Sequence, residues 1–249
     1  MDVTAIASIG MQADLARMES ISHNTANVLT PGFKRQIPIT SGFSAQVWQG
    51  MQQGDRQNTI LTMQPTTLVP VQMMVDPSSG ALRHTGIVQD VAIEGQAFFE
   101  VATPTGPAYT KAGSLRTDAQ GRLVNLQDFP IMGIGGEIRL NNTPFTIAAN
   151  GDVSQDGRVA GRLKLVQFDH AEGLVPSGNG IYLAGSAQQV QDVKTPSALR
   201  TGFLEDSNVS SPQEMVRLTE TVRHFESLQR LVQGYDDTLE KTIRKLGEF

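Results

Sequence analysis

Residues 211–246, SPQEMVRLTETVRHFESLQRLVQGYDDTLEKTIRKL, carry the pattern that decides the fold. Ser211 can cap a helix and Glu214 completes a capping box. Pro212 suits the first helical position, where its missing N–H costs nothing. Apolar residues then fall at Met215, Leu218, Val222, Phe225, Leu228, Val232, Tyr235, Leu239, Ile243 and Leu246. Their mean spacing is about 3.4 residues, next to the 3.5 of a coiled coil. Arg223, Glu226, Arg230, Glu240 and Lys241 take other faces. A helix over 212–246 would be roughly 50 Å long, longer than most helices of globular domains. A stripe of that length asks for a partner of comparable length.

The opposite end of the chain offers one. From Met1 to about Val28 there is no proline and a single glycine, Gly10. Ile6, Ile9, Ala13 and Ala16 recur at helical spacing, and Met11, Leu15 and Met18 run beside them. Asp14, Arg17 and Glu19 leave only a thin polar strip. Thr30-Pro31-Gly32 then stops the helix, because proline lacks a donor and disfavours helix at the residue before it. The two terminal helices are expected to pair with each other or with other subunits.

Between them the chain changes character. Residues 36–75 carry only Asp55 and Arg56 as charges and are rich in Gln and Thr, with no sustained period. They read as an extended arm or irregular hairpin ordered by contact with neighbours. From about Ser79 to Arg200 the pattern is short strands and tight turns. Val91–Ile93 and Phe98–Val101 flank a turn at Glu94-Gly95-Gln96, and Asp118–Gly121 and Gln155–Arg158 are further turn signals. Leu163–Phe168 alternates like a strand. The expected fold class is α+β: long N- and C-terminal helices forming a coiled-coil-like inner domain around a central all-β domain. The expected division is a helix over 1–30, an arm over 31–78, a β-rich middle over 79–206 and a helix over 207–249.

Composition removes several kinds of function. The 249 residues include no cysteine, so there is no disulfide framework, thiolate metal site or cysteine nucleophile. A formal charge of −5 argues against nucleic acid as a partner. No apolar run approaches membrane-spanning length, and no ordinary secretory signal is visible. His23, His84, His170 and His224 stand far apart, in no metal-ligand spacing, and surface or packing roles suit them. Asp152–Gly157 imitates the start of a calcium loop, but Leu163 stands where the bidentate carboxylate belongs, so a hairpin turn is the better reading. Gly133-Ile134-Gly135-Gly136 lacks the lysine and the context of a phosphate loop. No G-x-S-x-G elbow appears. No cofactor, metal, small-molecule substrate or catalytic group is expected.

Four stretches, in order, resemble the axial proteins of the bacterial flagellum, the rod and hook family. Asn24-Thr-Ala-Asn27 leading to Gly32-Phe33-Lys34 resembles the family's N-terminal signature. Asp90-Val-Ala-Ile-Glu-Gly95-Gln-Ala-Phe98-Phe99-Glu-Val101 resembles its first strand pair. Tyr109-Thr-Lys-Ala-Gly113 followed by Asp118–Leu123 resembles the next segment. Gly202-Phe-Leu-Glu205-Asp-Ser207-Asn208-Val209, then Glu214-Met215 and Arg223–Glu226, resembles its C-terminal signature. His23, Thr25, Pro31, Ala97 and Asp128 depart from the pattern. Asp128 stands in place of a turn glycine, a substitution that aspartate tolerates better than most residues. The chain's length, Asp128–Gly133 and Gly161–Val166 are most similar to the proximal-rod branch, with distal rod next and hook less similar.

The resemblance implies a self-assembling structural subunit of a rod that spans the periplasm and carries motor torque. Its partners would be other copies, adjacent rod proteins, the type III export apparatus and the surrounding rings. Export would be without a cleaved signal peptide. Assembly contacts are expected at Ile6, Ile9, Met11 and Leu15 and at Met215, Leu218, Val222, Phe225, Val232 and Leu239. Asn24, Asn27, Gly32, Phe33 and Asn208 would shape the junctions between helices and β domain. The competing class is a secreted β-rich enzyme or adhesin with helical termini.

Overall fold

The computed structural model describes residues 3–40, 71–141, 143–190 and 198–247. Two helices stand near the ends, Val3–Ala26 (α1) and Ser211–Gly247 (α2). Between them the described elements are β-strands and one short 3-10 turn at Ala171–Gly173. The chain is α+β. It divides into two compact units: Met1–His23, Ile37–Met73 and Pro212–Phe249 form a helical unit, and Asn24–Gln36 with Met74–Ser211 form a β unit.

In the β unit the largest sheet has five strands in the order Leu165–Val166, Phe98–Thr103, Gly106–Thr110, Ile181–Leu183, Val175–Pro176, all antiparallel. Successive strand residues point to opposite faces, so adjacent Phe98 and Phe99 enter different cores. Phe99 packs with Val91, Val101, Leu123, Ile131, Phe145, Val153 and Leu199. Phe98 packs with Val75, Tyr109, Phe168, Leu174 and Tyr182 on the other side. A three-stranded sheet follows, Phe145–Ile147, Asp152–Gln155 and Arg158–Arg162. The chain closes on itself when Ala198–Thr201 pairs with Val91–Glu94 and Phe203–Glu205 pairs with Leu82–His84.

The turn chemistry explains the short strands. Asp156 and Gly157 both have positive φ, 50° and 74°, as a two-residue hairpin loop requires. The imitation calcium loop is therefore one strand and its turn. Asp128 has φ 62°, so the aspartate does adopt the left-handed geometry of the glycine it replaces. Leu163–Phe168 is less regular than its alternation implied. Only Leu165–Val166 is a strand, while Leu163 and Phe168 make isolated bridges to Gly133 and Gln189. Of the arm, Gln36–Thr40 and Val71–Val75 pair as a two-stranded sheet; residues 41–70 lie outside the described residues.

Candidate functional site

The motif stretches, up to 171 positions apart in sequence, converge in the β unit on one buried charged cluster. Gly32 donates its backbone N–H to the carbonyl of Glu205 at 2.7 Å. Its φ is +69°, and a Cβ there would lie 2.5 Å from the backbone of Lys111 and Ala112, so only glycine fits. Phe33 is buried beside it. Lys34 Nζ donates to Glu205 Oε1 at 2.6 Å and to the Ser78 carbonyl at 2.7 Å. Gly80 N–H donates to the same carboxylate oxygen, and Lys34 N–H donates to the Tyr182 hydroxyl at 2.7 Å. Lys111 Nζ lies 3.6 Å from Glu205 Oε2, donates to the Gly95 carbonyl and sits 5.4 Å above the Phe98 ring.

Lys34, Lys111 and Glu205 are each at most 2% exposed. Two ammonium groups thus share one carboxylate away from water. Burial of Lys111, with Lys34 as a like charge against the opposing pull of Glu205, lowers its pKa to about 8. Burial likewise raises the phenol of Tyr182. Removing the carboxylate would leave two buried ammonium groups uncompensated, at a cost of about 3–5 kcal/mol.

Other motif residues brace this cluster through the backbone. Asn24 pairs its side-chain amide with both backbone groups of Gln36, at 2.8 and 2.9 Å. Asn27 Oδ1 accepts from Thr30 in the turn that ends α1. Asn208 accepts the Arg35 N–H and donates to the carbonyls of Asp76 and Ser78. The carboxyl of Asp76 is lowered: burial pushes it up, but hydrogen bonds from Ser78 and the charge of Arg35 outweigh that. Ser207 Oγ accepts from the N–H of buried Val209. Asp90 accepts from Ser114 through its side chain and from Gly202 through its carbonyl. Gly113 packs so closely that a Cβ would lie 1.7 Å from the Val91 carbonyl. Tyr109 is buried, accepts from Gln189, and has a raised pKa through burial and the charge of Glu100. Among the described residues, no group of three or more His, Cys, Asp or Glu could hold a metal ion.

In the helical unit α1 buries small and polar residues rather than its bulkiest ones. Its buried positions include Ala7 and Asp14, with no exposed atoms left on the Asp14 side chain. The bulky residues face out: Ile6 is 54% and Leu15 55% exposed. Ile9 and Met11 are intermediate. On α2, Met215, Leu218 and Leu239 are exposed, while Val222, Phe225 and Val232 are half-buried. Glu214 is buried and pairs with Arg217 at 2.8 Å. Of the thin polar strip on α1, Arg17 and Glu19 are exposed and only Asp14 is buried. Asp14 accepts from Arg17 at 2.9 Å and meets His224 Nδ1 of α2 at 2.6 Å. Nothing in the spacing flagged Asp14 or His224, and Lys34 and Lys111 were quoted as motif letters without a role. Lysine in the middle of two motif stretches was the available signal.

The flagellar hook protein FlgE/F/G D1 domain model matches residues 92–160, and the flagellar basal body rod FlgEFG protein C-terminal model matches 200–245. The chain is 32% identical to the flagellar basal-body rod protein FlgG of Buchnera aphidicola subsp. Acyrthosiphon pisum, over 95% of this chain and 96% of that protein. It is 29% identical to the flagellar basal-body rod protein FlgF of Rhizobium meliloti, over 93% and 92%. It is 27% identical to FlgF of Caulobacter vibrioides over the full length of both.

Proposed function

The chain belongs to the flagellar basal-body rod protein family, and from that premise we propose that it is a structural subunit of the rod, built into the drive shaft that carries motor torque to hook and filament. The observation that carries this reading is the set of large apolar side chains that the helical unit leaves exposed: Ile6 and Leu15 on α1, and Met215, Leu218, Leu239 and Ile243 on α2. Large apolar side chains in that number are poorly placed in water. Neighbouring subunits that cover them would turn the paired helices into the inner layer of a tube. Head-to-tail contacts that do not close into a ring give the helical symmetry a rod needs. Partners are other copies and adjacent rod proteins. The absence of cysteine suits a chain that is exported unfolded and folds in an oxidising space.

Within the rod we place the chain in the proximal part, on Asp128–Gly133 and Gly161–Val166. The 32% identity to a FlgG-named relative makes the distal rod the second reading. Deleting the gene and isolating basal bodies tests both. The rod reading expects loss of swimming, truncated basal bodies and rescue by the intact gene. Normal basal bodies in the deletion strain would overturn it. Restoration of a proximal-rod deletion but not of a distal-rod deletion would assign the position.

A further inference from the structure

We propose that Asp14 and His224 form a polar latch that sets the antiparallel register of α1 on α2, and so decides which side chains remain outside for neighbours. The second half rests on the rod reading; the first does not.

Two contacts one helical turn apart define how the helices meet. Asp14 Oδ2 lies 2.6 Å from His224 Nδ1. Four residues earlier on α1, an added Cβ at Gly10 would come within 2.7 Å of Leu228 Cδ1, four residues later on α2. Positions fall on one helix as they rise on the other, so the helices run antiparallel. Leu228 lies over the gap that Gly10 provides, and Asp14 meets the imidazole one turn away. The groups facing the Asp14 carboxylate are His224 of α2 and Arg17 of α1 itself, which takes the other oxygen at 2.9 Å.

An apolar stripe does not specify register by itself, because one turn's slip returns apolar residues to apolar residues. The latch removes that freedom. Slipped one turn in one direction, Asp14 faces Leu228 and keeps a buried carboxylate with no donor on α2. Slipped the other way it faces Glu220 or Thr221, the first a like charge and the second already donating to the Arg217 carbonyl at 2.8 Å. Each slip also removes Leu228 from Gly10. Two independent contacts fail together, so a buried carboxylate held by a partly exposed imidazole, beside the Gly10–Leu228 contact, acts as a register pin. With the register held, Ile6 and Leu15 stay outward. A slipped pair would present a different apolar surface.

The absence of native cysteine makes a cross-linking test unambiguous. In the full chain, Gly10→Cys is combined with Leu228→Cys as the in-register pair and with Val232→Cys as the pair one turn off. Oxidation yields are compared in the native background, in His224→Leu, and in the exchanged variant Asp14→His with His224→Asp. The latch expects at least a ten-fold preference for the in-register pair in the native background. It expects that preference to fall several-fold in His224→Leu and to return in the exchanged variant. An unchanged preference in His224→Leu would overturn it, because packing alone would then set the register. No preference in the native background would overturn it as well. A preference lost in His224→Leu and not regained on exchange would also count against it, since volume rather than the polar pair would be responsible. An intact preference in a protein whose deletion strain builds normal basal bodies would strike the rod reading and leave the register pin standing.

Discussion

The β unit and the helical unit treat the same kinds of side chain in opposite ways. In the β unit Phe98, Phe99, Val101 and Leu123 are all buried, and two adjacent phenylalanines fill two cores. In the helical unit Ile6, Leu15, Met215 and Ile243 are exposed, while an aspartate is buried. A domain that closes its own core has little left to offer a neighbour. In a helix pair that meets at Gly10 and Asp14, the bulky residues are left, on the proposed reading, for contacts with other subunits. On the proposed reading, the stability of the first region is an internal property, while ordering of the second is completed by neighbouring subunits.

The largest effect should come from breaking the charged cluster that the β unit encloses. Glu205→Ala leaves Lys34 and Lys111 buried without their carboxylate, and should cost about 3–5 kcal/mol in urea unfolding. Gly113→Ala forces a Cβ against the Val91 carbonyl and should be nearly as damaging. If Glu205→Ala unfolds like the native chain, the β unit is not organised around that cluster, and a neutral Gly113→Ala would mean that the Val91 strand gives way.

Lys111 supplies the next effect through pH. The unfolded chain holds the proton to about 10.5, while the folded chain releases it near 8. Between those values the unfolded state binds more protons, so stability should rise with pH, by about 2 kcal/mol from pH 8 to 9.5. Above pH 10 the raised phenols of Tyr109 and Tyr182 act in the opposite sense and should reverse the trend. Lys111→Met should flatten the slope below pH 9.5. A native chain that loses stability from pH 8 to 9.5 would contradict the excess of buried cations.

The smallest effect lies at one turn. Asp128 spends its left-handed φ in an exposed position and pairs with Arg116 at 2.7 Å. Asp128→Ala should lower the melting point by the equivalent of about 1 kcal/mol, and Asp128→Gly should be close to neutral. Equal losses in both would mean the ion pair, not the backbone, matters there.

How much of this was legible follows from the same contrast. The long C-terminal helix was readable because Met215 to Leu246 hold one period and Pro212 marks the start. The hairpin at Asp156-Gly157 was readable because few residue pairs accept positive φ twice in succession. The inner face of α1 was not readable: apolar and small residues run round most of the helix, and Asp14 stood with Arg17 and Glu19 in a thin polar strip that did not mark it as the buried one. The charged cluster was hidden for a related reason. Pattern reading sends Lys34, Lys111 and Glu205 outward, and only the pairing of three distant segments reveals that they neutralise one another inside. Asn24 and Asn208 were readable as junction positions but not as substitutes for backbone partners.

The central claim is that the exposed apolar side chains on the helices serve neighbours rather than the chain's own stability. The direct test is a strain lacking the native gene that carries Leu15→Asp together with Met215→Asp, with the purified variant melted in parallel. Unchanged melting, within about 0.5 kcal/mol, with export intact and rods absent, is the expected result. Swimming at native speed with the variant built into basal bodies would contradict it.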